Sequence, residues 1–248
     1  DLIENNRRRM ALLEEAARQL YREWFVRLRF PGHEHTPITN GIPKGWQRLS
    51  IAALVERDEV DLQTGPFGTQ LKASDYTESG APVINVRNIG FGELRPEKLE
   101  FVPEEVAERL QQHVLRTGDI VFGRKGAVDR HLLIRSTQEG WIQGSDCIRM
   151  RSCSSRVSTL LMSLAFRETP HKQWMITQCS NKATMASLNQ EVLGRIEALL
   201  PSQLILDEFV NIATDAFRQI GNLWTQNERL RAARDLLLPR LMSGEVKV

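Results

Sequence analysis

From Ile205 onward, apolar residues recur on one 3.5-residue register: Ile205, Phe209, Ile212, Ala216, Leu223, Leu230, Ala233 and Leu237, with Gln219 and Gln226 interrupting it. Ser202, directly after Pro201, supplies an N-cap, and Pro239 and Gly244 supply stop signals. A helix from Gln203 to Leu238 is about 54 Å long at 1.5 Å rise per residue. That exceeds the width of the domain it would leave, so most of its seam needs a partner helix. The polar interruptions would fix the register at some cost in stability. The competing reading, an ordinary core-packed helix, is disfavoured by the length.

The N-terminal segment supplies a second stripe. Ile3, Met10, Leu13, Ala17, Leu20 and Trp24 follow a spacing of threes and fours broken by Asn6, with Arg7, Arg8, Arg9, Glu14 and Glu15 on the other faces. This amphipathic helix should end before Pro31-Gly32, where proline cannot continue the hydrogen-bond ladder. Asn5, Asn6 and Arg7 echo Asn227, Glu228 and Arg229 ahead of similar Ala/Leu-rich stretches, a faint repeat of one helical module.

Between the two, residues 41 to 202 read as strand-rich and mixed. Short apolar runs at Pro82 to Val86, Ile120 to Phe122, Leu132 to Ile134 and Cys147 to Met150 are punctuated by glycines. Helical pieces are expected at Pro103 to Gln112 and at Val157 to Gln178. The expected fold class is therefore α+β, with a mixed globular domain flanked by long amphipathic helices. At 41% apolar and 26% charged, the 248 residues are not generally disordered. No run approaches the ~18 apolar residues of a membrane span, and no secretory leader opens the chain, so a cytoplasmic protein without membrane partners is expected. Cys147, Cys153 and Cys179 are odd in number and lack metal-ligand spacing, which points to reduced thiols. A first residue of Asp rather than Met points to a fragment or a trimmed chain.

Charge is segregated along the chain. Residues 56 to 108 hold 12 Asp/Glu against 5 Lys/Arg, and residues 109 to 190 hold 12 Lys/Arg against 5 Asp/Glu. A polyanion-facing surface on one side would produce this pattern, and so would two charge populations that mix once the chain folds.

The parts of an enzyme are missing. No Pro-Pro dipeptide exists for a base methyltransferase, GPFGTQL (65 to 71) lacks the context of a cofactor loop, and GxxxxGK[ST] is absent. The only Glu-x-Lys, Glu245-Val246-Lys247, sits at the C-terminus. His33, His35, His113, His131 and His171 have no spaced partners for zinc or for a nucleophile-base pair. We expect no catalytic residues, no metal and no cofactor. Binding remains. GRKGAVDRH (123 to 131) gathers Arg124, Lys125, Arg130 and His131 around two glycines straight after an apolar strand, where glycine lets a backbone approach closely. Arginine there suits phosphate or a guanine edge; a solvated surface hairpin is the alternative. Gln70, Lys72 and Ser74, the pair Arg87-Asn88, and 181 to 184 with Lys182 and Thr184 offer similar cationic and small polar groups.

The blocks GIPKGWQRLSIAAL (41 to 54), GPFGTQLKASDY (65 to 76), PVINVRNIGFGEL (82 to 94), GDIVFGRKGAVDR (118 to 130) and NKATMASLNQEVLGRIEALLPS (181 to 202), in this order, resemble the target recognition domain of DNA specificity subunits in type I restriction-modification systems. LYREWFVRLRFPGHE (20 to 34) and LLPRLMSGEVKV (237 to 248) look like the ends of that family's spacer helices. The resemblance implies an N-terminal spacer helix at 1–30, a linker at 31–40, a DNA target recognition domain at 41–202 and a C-terminal spacer helix at 203–248, equivalent to the C-terminal half of a full subunit. It implies double-stranded DNA, a modification methyltransferase subunit and a restriction (endonuclease/translocase) subunit as partners, with the long helices forming an antiparallel coiled-coil-like spacer or a homodimer seam. With the block's Tyr76, the candidate DNA-binding residues are Gln70, Lys72, Ser74, Tyr76, Arg87, Asn88, Arg124, Lys125, Arg130, His131, Lys182 and Thr184. A helical adaptor that binds protein instead of DNA is the rival reading.

Overall fold

A computed structural model describes residues 2–179 and 187–243. The chain divides into two compact units, one made of Asp1–Glu34 with Asp207–Val248 and the other of His35–Leu206.

The first unit is a pair of helices. Leu2–Tyr21 is α-helical and runs into a π turn at Arg22–Val26, closed by the Arg27 N–H donating to the Arg22 carbonyl at 2.8 Å. The chain leaves the helix at Leu28, whose φ is +56°, ahead of Pro31-Gly32 as expected. Its expected stripe is the buried one: Ile3, Ala17 and Trp24 are buried, with Asn6 among them, and Met10, Leu13 and Leu20 are half-buried. The partner is the helix Gln203–Met242. Trp24 and Phe25 pack on Phe209 with ring centroids 5.9 and 4.8 Å apart, while Asn6 at the far end meets Asn227 at 2.9 Å. Early residues of one helix thus meet late residues of the other, and the pair is antiparallel.

The long helix departs from the expected register. Phe209 and Leu223 are buried, but between and beyond them Ala213, Phe217, Ile220 and Asn227 turn inward; Ile212, Gln219 and Gln226 are exposed and Ala216 is half-buried. Successive helical residues are rotated by about 100°, so a shift of one residue selects the adjacent stripe. Phe217 and Ile220 bring more apolar surface to the seam than Ala216 and Gln219. Pro239 does not end the helix, which continues to Met242. Residues 232–240 are all exposed, so a missing intrahelical bond at proline costs less there than it would in a buried helix. The exposed stretch includes Ala233 and Leu237 of the expected seam.

The second unit is built on a five-stranded sheet in the order Val60–Thr64, Cys147–Ser152, Ile120–Gly123, His131–Leu133, Phe91–Gly92, antiparallel except for the last pair. The central Ile120–Gly123 reads as a continuous apolar run because both its faces are covered. Ile120 and Phe122 pack with Ile148, Met150, Met162 and Phe166, and Val121 packs with Ile84, Leu115 and Leu132. Ala81–Ile84 pairs with Glu100–Val102 and Ile142–Gln143 in a three-stranded sheet, and Gln47–Ser50 pairs with Glu197–Leu200. The helix expected from Val157 to Gln178 is two helices, Thr159–Phe166 and Thr169–Cys179. The first is capped by the Ser158 hydroxyl, which accepts from the Leu161 N–H at 3.2 Å. Pro170, which has no N–H for the preceding ladder, forces a restart. The expected helix at Pro103 to Gln112 is shorter, Glu104–Arg109, followed by a 3-10 turn at Gln111–His113. The three cysteines are free; Cys147 and Cys179 are buried and Cys153 is exposed, and burial pushes the Cys147 thiol up to about 12. Among the described residues no helix is long and apolar enough to cross a membrane.

Candidate nucleic-acid interface

Three strand ends meet at one end of the five-stranded sheet. The register sets Thr64 opposite Ile148 and Gly123 opposite Cys147, so the loops that begin at Gly65 and Arg124 emerge beside the turn at 144–146. The backbone ties them together: the Gly65 N–H donates to the Cys147 carbonyl at 2.9 Å, and the Arg124 N–H donates to the Asp146 carbonyl at 2.8 Å. A fourth segment joins where the Leu188 N–H donates to the Arg124 carbonyl at 2.8 Å and Lys125 bridges Ser187. Gly65 is required for this approach, since a Cβ there would overlap the Gly144 carbonyl.

On this platform the Arg124 guanidinium lies over the Phe67 ring, 5.5 Å from its centroid. Lys125 Nζ is 3.1 Å from the Asp146 carboxylate, with both side chains about half exposed. Such exposed pairs are worth little, so the ammonium can exchange the carboxylate for a phosphate. Gln70 closes the Phe67 turn, its Oε1 accepting from the Phe67 N–H at 3.2 Å. Sequence reasoning passes over Phe67 as a binding residue; the signal for it is an aromatic set between Pro66 and Gly68 with no core periodicity around it.

Further candidates lie along the neighbouring sheet. Arg109 donates to the Gln70 carbonyl at 3.2 Å and to Asp75 at 3.0 Å, and the Lys72 N–H donates to Asp75 at 2.9 Å. Lys72 and Ser74 are exposed. Arg87 pairs with Glu100 at 2.7 Å. Burial pushes the Tyr76 phenol above its ordinary range, a shift that its hydrogen bond with Asn85 opposes and the Glu100 carboxylate reinforces. Arg130 lies over the Phe91 ring at 5.5 Å, and Lys172 Nζ stands 4.1 Å from the same ring, a second cation that the sequence reading does not single out.

Two residues expected to touch DNA are interior. Asn88 is fully buried: its amide donates to the Arg95 and Glu97 carbonyls at 3.0 and 3.2 Å, and its Oδ1 accepts from the Asn85 N–H at 3.1 Å. It holds a turn together. His131 is 1% exposed, 2.8 Å from the Ser163 hydroxyl and packed between Phe122 and Phe166. Burial, with help from Arg167, holds its imidazole well below the ordinary range and so neutral. A neutral histidine 1% exposed carries no charge to attract a phosphate, and its ring lies out of reach of one. Lys182 and Thr184 lie outside the described residues.

The sequence segregation of charge is partly folded away. Asp61 of the acidic stretch pairs with Arg149 of the basic one, Glu59 with Arg156 at 3.4 Å, and Asp75 with Arg109 at 3.0 Å. Antiparallel pairing of Val60–Thr64 with Cys147–Ser152 sets Arg149 beside Gln63 and Arg151 beside Asp61, so the two populations mix. Asp119, 1% exposed, is held by Arg151 at 2.7 Å, a structural contact.

No family model matches the chain. Among curated proteins it is 22% identical to the type I restriction enzyme MjaVIII specificity subunit of Methanocaldococcus jannaschii, over 84% of this chain and 48% of that protein. It is also 22% identical to the MjaIX specificity subunit of the same organism, over 100% of this chain and 56% of that one. This chain is a homologue of type I restriction enzyme specificity subunits. It spans about half the length of these relatives. The fold agrees: the type I restriction-modification S subunit from M. genitalium aligns over 97% of this chain and 56% of its own at a TM-score of 0.66 and 13% identity. The HsdS subunit from Thermoanaerobacter tengcongensis aligns over 98% and 54% at a TM-score of 0.50 and 15% identity. Like the specificity-subunit structures, the chain combines a mixed α+β domain with an N-terminal helix and a long C-terminal helix.

Proposed function

We propose that this chain recognises one half of a bipartite duplex DNA target and scaffolds the modification methyltransferase and restriction subunits, without catalysing a reaction itself. The observation that carries the reading is the convergence of Gln70, Arg124 and Lys125 on loops from adjacent strand ends, in a chain homologous to specificity subunits along its length. Lys72, Ser74, Tyr76, Arg87 and Arg130 are its further DNA contacts, with Lys182 and Thr184 retained from the sequence. Asn88 and His131 support the scaffold. Arginine and lysine on glycine-flanked loops suit phosphate and base-edge contacts, and phosphate contacts release counterions, so affinity should fall steeply with salt.

The test is fluorescence anisotropy on duplexes recovered by selection from a random-sequence library, titrated at several salt concentrations. Wild type should bind with a steep negative salt slope. Arg124→Ala with Lys125→Ala should weaken binding on all duplexes alike and shrink the slope by about one for each phosphate no longer neutralised. Salt-independent binding, or a double variant identical to wild type, would remove DNA recognition from this face and favour the adaptor reading.

A further inference from the structure

Phe67 is 58% exposed, yet its loop is held in one shape from several sides. Gly65 is pressed against Gly144 where no other residue fits, Gly68 turns the chain at φ +51°, Gln70 hydrogen-bonds the Phe67 N–H, and Arg124 covers one side of the ring at 5.5 Å. Isolated exposed aromatics are common on protein surfaces, but this one sits on a loop fixed by its neighbours while more of it stays exposed than covered. Here the loop's restraints act on the backbone and leave the ring outside. A phenyl ring on a fixed loop, more exposed than covered and with the Arg124 guanidinium over it, loses its remaining apolar exposure by entering a partner, and the cation favours an anionic one. Duplex DNA supplies both features, a charged backbone and stacked base faces that an apolar side chain can separate.

We propose that Phe67 is a wedge that enters a base step of the bound duplex while Arg124 and Lys125 hold the flanking phosphates. This rests on the DNA-recognition reading above, and it adds a shape-dependent term to specificity, because pyrimidine–purine steps unstack more readily than others. The pair divides the labour: Arg124 supplies the salt-dependent part and Phe67 a part independent of salt.

The experiment uses the full chain with Phe67→Ala, Phe67→Leu and Arg124→Ala, and a selected 30-base-pair duplex in which 2-aminopurine replaces adenine at successive positions. Wild type should raise the 2-aminopurine signal at one step only. Phe67→Ala should abolish that rise and weaken binding about tenfold with an unchanged salt slope, and Phe67→Leu should keep part of both. Arg124→Ala should flatten the slope. Equal thermal unfolding of the variants shows that the loop change is local. Wild-type binding without any local 2-aminopurine signal, or Phe67→Ala affinity within twofold of wild type, overturns the wedge and leaves DNA recognition standing. A wild-type chain that binds no duplex overturns both.

Discussion

The Asn6 side chain donates to Asn227 Oδ1 at 2.9 Å while Asn227 donates back to the Ile3 carbonyl at 3.3 Å, and both asparagines are at most 2% exposed within an otherwise apolar helix pair. Asn6 also donates to Gln226 at 3.1 Å. One residue of slip would leave these amides facing apolar neighbours without partners, so the interaction sets the register of the two helices.

Asn227→Leu alone should therefore lower stability by about 1–3 kcal/mol, because the buried Asn6 amide loses its Asn227 acceptor and keeps only the Gln226 contact. Asn6→Leu with Asn227→Leu should recover most of that loss while loosening the register. Denaturant unfolding of the two singles and the double forms a cycle, and additive losses would show that the asparagines act independently.

The 3.5-residue register makes Leu223 and Leu237 equivalent seam positions, but Leu223 is 7% exposed and Leu237 is 45% exposed. Leu223→Asp should cost about 3 kcal/mol by placing a carboxylate in the helix pair, whereas Leu237→Asp should stay within about 0.5 kcal/mol of wild type. Chemical denaturation separates them; equal losses would mean that the end of the helix is also buried in solution.

His171 stacks on Phe166 at a centroid distance of 4.6 Å, and burial lowers its pKa from 6.5 to about 4. The unfolded chain thus binds a proton that the folded chain refuses, and stability present above pH 6.5 is lost as the pH falls toward 4. His171→Phe keeps the stacking surface and removes the titration. It should flatten the decline of stability in that window by up to about 1.4 kcal/mol per pH unit. Parallel pH profiles for variant and wild type would place the acid sensitivity elsewhere, for instance at His131 or at His113, both also lowered by burial.

Gly65→Ala puts a methyl group onto the Gly144 carbonyl, and backbone cannot swing aside as a flexible side chain can. The Phe67 loop should be displaced and DNA affinity should fall at least tenfold. Gly126→Ala, at φ +75° but in open space, should cost only about 1 kcal/mol of stability. Anisotropy and thermal unfolding on both variants test this, and a Gly65→Ala protein that binds like wild type would show that the loop does not need its observed shape.

Local pattern alone determined the two amphipathic helices, the apolar central strand Ile120–Gly123, the glycine-bordered Arg124-Lys125 loop and the ordered blocks of the family resemblance, because each is written in residues close together in the chain. Tertiary structure decided which helix stripe faces inward. Ala216 and Phe217 lie side by side in sequence, and the choice falls to the stripe that brings Phe217, Ile220 and Asn227 inward, with Phe209 meeting Trp24 and Asn227 meeting Asn6 across the pair. It also decided the fate of the polar candidates. Asn88 and His131 have side chains suited to DNA and equally to buried hydrogen bonds, and only the carbonyls of Arg95 and Glu97 and the distant Ser163 hydroxyl withdraw them from the surface. Phe67 went the other way, an apolar residue kept largely outside because the close approach of Gly65 to Gly144 and backbone hydrogen bonds from separate strands fix its loop at the end of the sheet.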